Sequence, residues 1–331
     1  MTQILRTTLI QDEAQASVGS PTWDLPVNPL SIILFTVKML NNTAAIANYS
    51  SIQALLDAIS ALTVNYRGAN IISGSLADLA VLYGIIAEWP PTQSNRRELD
   101  NDVRSITVPI CLGRFPYDPE ECFPATRRGD LILQATTVIA PTGLDTMVLQ
   151  AETVELLDAQ PKRFVKATTT TKIFNATGEH DIEVPIGNDL LGALLWGPVV
   201  PTGASYNASF GQVALQVDNV ETVYSKSNWE TMHGELNRRL ARSPQWPHTH
   251  GFQYDPTGVA VTQATTREAQ ENLNLVDNYA YLDLDPLRDG KFALKTKDAA
   301  RVNMHITTEA ASATAMRVLP VELVELGGAG A

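Results

Sequence analysis

Three blocks of this sequence occur twice, in the same order, and that repetition constrains the fold more than any single motif. Leu25-Pro26-Val27-Asn28-Pro29-Leu30 leads into the apolar run Ser31–Phe35. Val184-Pro185-Ile186-Gly187-Asn188-Asp189-Leu190 leads into Leu191–Leu195, with Pro185 standing 159 positions after Pro26. Leu62–Gly68 and Val213–Asn219, 151 positions apart, are both alternating segments that run into a turn. Asp130–Thr136, with Met147-Val148-Leu149 and Val154-Glu155-Leu156 after it, matches Arg301–Thr307 with Met316–Leu319 and Val324-Glu325-Leu326. Val154 and Val324 lie 170 positions apart. Each pair alone is weak; three in order indicate a tandem duplication jointed near Gln160-Pro161. The 331 residues then divide into units 1–160 and 161–331, each of ordinary domain size.

The local patterns within each unit are mainly those of strands. Ile106–Ile110, Leu131–Thr136, Met147–Ala151, Lys166–Phe174, Val213–Val217 and Arg301–Thr307 are short, rich in Thr and Val, and partly alternating. Pro141-Thr142-Gly143, Asp255-Pro256-Thr257-Gly258 and Asp289-Gly290 punctuate them as turns. Helical spacing predicts helices over 51–61, over 75–83 with Ser75 as cap and Gly84 as stop, and over 227–240 with Ser227 as cap. The latter two each follow a repeated strand–turn block. Helices do not alternate with strands, so a sandwich is favoured over a βαβ fold. Eight or so strands per unit best fit a jelly roll. The expected fold class is therefore all-β: two tandem jelly-roll β-sandwiches with a few short inserted helices.

Composition removes several function classes. The formal net charge is -12, from 24 basic and 36 acidic residues, the wrong sign for wrapping duplex DNA or binding anionic membranes in general. Two cysteines exclude a disulfide framework and a CxxC zinc module, and Cys111 and Cys122 are expected as free thiols. Polar Gln11, Asp12 and Glu13 soon follow Arg6, which predicts no secretory signal and a chain folded in a cytoplasm. The apolar stretches Ser31–Val37 and Leu190–Val200 fall short of a bilayer's width. Met1–Ser20 and Gly327–Ala331 are expected to be partner-contacting or disordered ends.

The chemical motifs are mostly negative. The sequence contains no phosphate-binding P-loop, no GxGxxG after a strand, no HExxH and no GxSxG. His248-Thr249-His250 is the best metal candidate, as in bicupin-type enzymes, but Gln253 and Tyr254 follow and no Glu appears until Glu268. Asp118, Glu120 and Glu121 in the loop 115–124, and Asp283 with Asp285 on a predicted strand, could in principle form a calcium site or an acid–base pair. Neither carries the twelve-residue calcium-loop pattern, so they are read as a solvated loop and a polar strand face. The basic clusters Arg96-Arg97, Arg127-Arg128 and Arg238-Arg239 with Arg242 are read as solvated helix ends or inter-subunit ion pairs. Trp23, Trp89, Trp196, Trp229 and Trp246 are scattered, as in cores or interfaces. The chain is read as not an enzyme, with no catalytic, cofactor-binding or metal residues and no cofactor.

A duplicated jelly-roll chain without a catalytic constellation resembles the double jelly-roll major capsid proteins of tailless, membrane-containing icosahedral viruses, and most specifically the corticovirus-type phage coat protein. The residues that carry the resemblance are Glu183-Val184-Pro185-Ile186-Gly187 and, more loosely, Asp24-Leu25-Pro26-Val27. Val64–Gly68 followed by Ala77-Asp78-Leu79 adds to it. The second unit departs in having Asp218-Asn219 at its turn and no Asp-Leu pair in its helix. The resemblance implies a virion capsid protein assembled in a host cytoplasm. Homotrimers would present six similar sandwiches as a pseudo-hexagonal tile, in a lattice with minor capsid, penton and membrane proteins. Peripheral contact with an internal membrane is implied, and sequence-specific nucleic-acid binding is not. The rival readings are a virion spike or receptor-binding sandwich, a tailed-phage structural component and, more distantly, a bicupin-like metal enzyme.

Overall fold

The computed structural model describes residues 3–15, 18–42, 52–96, 101–138, 144–201, 205–221, 224–240 and 276–327. In chain order its first part comprises β1 (Gln3–Gln15), β2 (Thr22–Asp24), β3 (Leu30–Asn41), α1 (Ile52–Asp57), β4 (Ile59–Tyr66), β5 (Ala69–Gly74), α2 (Leu76–Ile86), β6 (Thr92–Arg96), β7 (Val103–Cys111), β8 (Leu131–Thr137) and β9 (Leu144–Leu157). The second part comprises β10 (Arg163–Thr168), β11 (Thr170–Lys172), β12 (Gly178–Val184), β13 (Asp189–Trp196), β14 (Gln212–Val217), β15 (Val220–Glu221), β16 (Ser227–Asn228), α3 (Trp229–Leu240), β17 (Tyr279–Asp283), β18 (Leu294–Lys295), β19 (Val302–Thr308) and β20 (Met316–Glu325).

The strand order is the same in both parts. In the first, β1-β9-β3-β7 forms one sheet, with β6 at its edge, and β2-β8-β4-β5 the other. In the second, β10-β20-β13-β17 forms one sheet and β12-β19-β14-β15 the other. Ranked by chain order within each part, with β6, β11, β16 and β18 at the margins left out of the numbering, both read 1-8-3-6 against 2-7-4-5, the two sheets of a jelly roll. All three repeated sequence blocks fall on equivalent strands: β3 with β13, β4 with β14, and β8-β9 with β19-β20. Both β4-β5 and β14-β15 turn through two consecutive residues of positive φ, Arg67-Gly68 and Asp218-Asn219, as a tight hairpin requires. The helices α2 and α3 are inserted at the same place, between the fifth and sixth strands.

One sheet passes through both jelly rolls. β5 of the first pairs in parallel with β10 of the second, Ile72 opposite Ala167 and Ser73 opposite Thr168, which makes a ten-stranded sheet. A single apolar core follows it. Phe35, Leu62, Leu79 and Leu133 of the first part cluster with Leu191, Leu194, Tyr281, Leu319 and Val321 of the second. The second jelly roll also has a core of its own around Phe210, Leu215, Leu282 and Met304. Every residue of α2 is buried, because the helix lies between the two jelly rolls rather than on a surface.

Several local expectations are corrected. The helix expected over 51–61 ends at Asp57, since Ile59, Leu62 and Val64 face the core at strand spacing and draw the chain into β4. Ser75 does cap α2, its Oγ accepting from the Asp78 N–H at 3.1 Å. The helix nevertheless runs through Gly84 to Ile86, because Ile85 and Ile86 are themselves buried. Ser227 is paired with Val213 in β16, and α3 begins only at Trp229. The segment 166–174 is split between β10 and β11, and Asp285 lies beyond the end of β17. Gln3–Gln15 is a thirteen-residue strand rather than a loose end. Cys111 and Cys122 are free and buried. No described helix is long and apolar enough to cross a membrane.

Register also sorts the two ends of the molecule. Gln3 lies opposite Leu157, Ile32 opposite Cys111 and Tyr66 opposite Leu131; Arg163 lies opposite Glu325, Gly192 opposite Asp283 and Val217 opposite Val302. Since β5 and β10 run the same way, the 25–29, 67–68, 112–130, 185–188, 218–219 and 284–301 connections gather at one end, together with Gln3 and Glu325.

Candidate functional site: the seam between the two jelly rolls

Charged side chains that the sequence scatters over more than two hundred positions meet where the jelly rolls join. Arg114 follows the end of β7 and is buried. Its backbone N–H and Nε donate to Glu121 Oε1 at 2.6 and 2.9 Å, and its Nη2 donates to Oε2 at 2.9 Å. The tight bite depends on Gly113, where a Cβ would stand 2.1 Å from the Glu121 carbonyl oxygen. The remaining arm of the fork, Nη1, crosses the seam to Asp285 Oδ2 at 2.8 Å. Arg163, from the first strand of the second jelly roll, reaches back to Glu121 Oε2 at 2.9 Å. Asp285 receives the Gly290 N–H, and its own N–H donates to Asp283 Oδ1. Arg239 of α3 clasps Asp283 through Nε and Nη2 at 2.7 and 2.8 Å. Arg288 adds donations to the carbonyls of Ile86 and Arg114 and an ion pair with Glu88 at 3.0 Å.

Burial alone would raise the Glu121 carboxyl, but the hydrogen bonds and charge of Arg114, with Arg163 behind them, outweigh it and hold the group below the usual carboxylate range. Burial likewise opposes the charge on Arg114, while Glu121 and Asp285 together keep it firmly protonated. A small cavity of about 10 Å³, the space of about one water, lies among Arg114, Arg239, Arg288, Asp285 and Tyr281.

A second cluster ties the other end of α2. Asp78, in its first turn and fully buried, accepts from Tyr279 Oη at 2.7 Å and from Arg317 Nε and Nη2 at 2.8 and 2.9 Å. Arg317 lies 3.6 Å from the centre of the Trp196 ring. Burial first, then the Asp78 charge, pushes the Tyr279 hydroxyl well above its ordinary value, so it is a fixed donor. Between the two clusters the backbones bond directly: Val165 N–H to Leu112 O at 2.8 Å and Thr169 N–H to Ser73 O at 2.9 Å. The seam thus has an apolar centre, a strand pair and a paired, hydrogen-bonded ion cluster on either side. Such an arrangement fixes one relative placement of two bodies.

This molecule, two jelly rolls with one sheet running through both, is similar to solved structures over nearly its whole length. The STIV MCP matches with a TM-score of 0.66 at 14% identity, over 98% of this chain and 97% of that one. The PBCV-1 virus capsid matches with a TM-score of 0.58 at 10% identity, over 98% and 94%. The major capsid protein P2 from bacteriophage PM2 matches with a TM-score of 0.55 at 12% identity, over 99% and 100%. The fold is that of the double jelly-roll major capsid proteins. No family model matches the sequence, and no curated protein matches it.

Within this double jelly roll, the carboxylates singled out from the sequence have different surroundings from those expected. Glu121, Asp283 and Asp285 are buried and paired with arginine, not a solvated loop and a polar strand face, and Arg114 brings the two groups together. Arg239 is held in the same network, its side chain 9% exposed, instead of forming a solvated helix end, whereas Arg238 is half exposed beside Glu235. Arg114, Arg288 and Arg317 carry the seam and had no sequence signal beyond an arginine set among apolar neighbours, as in Cys111-Leu112-Gly113-Arg114-Phe115, while Asp78 stood out only as part of Ala77-Asp78-Leu79 and not as a buried acceptor. Asp118 bonds the Glu120 N–H, and Glu120 pairs with Lys162 in solvent. His248, His250, Trp246, Arg242, Arg97 and the turns 141–143 and 255–258 lie outside the described residues. Among the described residues, no group of three or more His, Cys, Asp or Glu is placed to hold a metal ion.

Proposed function

We propose that this chain is the major capsid protein of a tailless icosahedral virus, on the resemblance a bacteriophage. Its two jelly rolls, residues 1–160 and 161–331, are near-equal building blocks of a homotrimeric, pseudo-hexagonal tile in the virion shell. The observation that carries the reading is the shared strand order of the jelly rolls, locked into one body by the seam. Near-equal modules offer near-equal edges, so three chains can present six of them around a threefold axis through heterologous contacts. A spike would have no need of two matched edges, and an enzyme no need of a charge-locked seam.

The same reading places the shell around an internal membrane, with minor capsid, penton and membrane proteins as further partners and no sequence-specific hold on nucleic acid. Its support is the end that carries Gln3 and Glu325. Phe115 and Tyr117, both exposed, lie there with Gln3 and Glu325. That end then faces inward. Light scattering on the purified full chain tests the assembly. A trimer at micromolar concentration is expected, and a monomer throughout would overturn it.

A further inference from the structure

Among the described residues, β1 is bonded on one side only, to β9, and stands at the edge of its sheet. A long strand edge of this kind is a template for pairing with another chain. Its equivalent in the second jelly roll, β10, has the same edge covered, by β5 of the first. The equivalent of β5 is β15, which among the described residues pairs with β14 alone and leaves Val220 65% exposed. Among the described residues the chain therefore makes one such contact internally and leaves both halves of a second copy of it open. From this we infer that β1 of one molecule docks against the flank of the second jelly roll of a neighbouring molecule, the side bearing β15 and the 284–301 connection.

The residues at the contact follow from the register. Leu5 stands opposite Glu155 and Arg163 opposite Glu325, the two glutamates that the sequence repeat aligns. Ile4 and Leu5 therefore occupy the places of Lys162 and Arg163. Within the chain those two pair with Glu120 and Glu121, in the connection between the sixth and seventh strands of the first jelly roll. The corresponding connection of the second jelly roll carries Leu287, 64% exposed, and Phe292, 57% exposed. Where the internal contact sets cations against carboxylates, the open halves set apolar side chains against apolar side chains. Ion pairs on one and bare aliphatic and aromatic groups on the other keep the two contacts from exchanging partners. The occupant is thus a second copy of this chain.

This contact rests on the trimeric reading above, and one experiment separates the two. Mass photometry across a concentration series is run on the full-length wild type, on Leu5→Arg, on Phe292→Glu and on the double variant. Near-ultraviolet circular dichroism checks that each is folded. Each single change is expected to weaken the trimer about tenfold. The double change, which rebuilds an ion pair of the Arg163–Glu121 kind, is expected to restore it to within about threefold of wild type. Folded single variants that assemble like wild type, or a folded double variant no better than the singles, would overturn this contact while leaving the trimer standing. A wild type that never assembles would overturn the trimer and the contact with it.

Discussion

Arg114 and Asp285 lie 171 positions apart and meet at 2.8 Å, with the side chains only 2% and 5% exposed. Arg114 is also the bidentate partner of Glu121 at the seam. Replacing it with Met leaves two buried carboxylates short of a cation. Breaking a buried pair in this way costs about 3–5 kcal/mol. Urea denaturation of Arg114→Met should show that loss, and a change under about 1 kcal/mol would mean the pair is solvated in solution.

Glu121 gives the seam its acid sensitivity. Its carboxyl is held below the usual range in the folded chain and returns to an ordinary value, about 4.3, when unfolded. A carboxyl depressed on folding contributes its full stability above the unfolded pKa and loses it as the pH falls through the lower, folded one. Thermal melting should be nearly flat in this respect from pH 7 down to about 5 and should fall steeply below about 4. Glu121→Gln should melt lower at pH 7 and show a shallower acid limb. An unchanged acid limb would contradict the assignment.

Burial, not the mere presence of an ion pair, decides what each pair contributes. Asp78→Ala removes the buried acceptor of Tyr279 and of both Arg317 donors, and it leaves a partly buried guanidinium without its carboxylate, at a cost of about 3 kcal/mol. Asp130→Ala, which breaks an equally short pair with exposed Arg67, should leave the unfolding midpoint almost where it was. Equal effects from the two would refute the distinction.

Gly113 is required by space rather than by its φ. A methyl group there would meet the Glu121 carbonyl at 2.1 Å, and backbone on backbone has no rotamer by which to yield. Gly113→Ala should cost about 1–3 kcal/mol and loosen the Arg114–Glu121 fork. Denaturation and the acid limb should therefore shift together, whereas Gly68→Ala, with open space around its Cβ and φ +88°, should disturb only its own hairpin.

The likeness of the two jelly rolls was legible in the sequence because each carries the same local patterns in the same order. Pro26 and Pro185 stand in the equivalent connections before β3 and β13, while the two alternating runs before the hairpins and the Val154-Glu155 and Val324-Glu325 pairs fall on equivalent strands. The seam was not legible. Arg114 with Asp285 and Asp78 with Arg317, 239 positions apart, are made by chain segments that share no local pattern. A charged residue also reads as solvated until its burial is known. The same ignorance of packing misplaced the end of α2: Gly84 stops an exposed helix, but here neighbours on every side hold Ile85 and Ile86 in helical form.

Cryo-electron microscopy of the purified full-length protein tests the central claim most directly. Three chains around a threefold axis should present six sandwiches of similar shape in a hexagonal outline, with the internal and the intermolecular contacts superposing. Particles holding two chains face to face about a twofold axis, or sandwiches that fail to superpose, would contradict it.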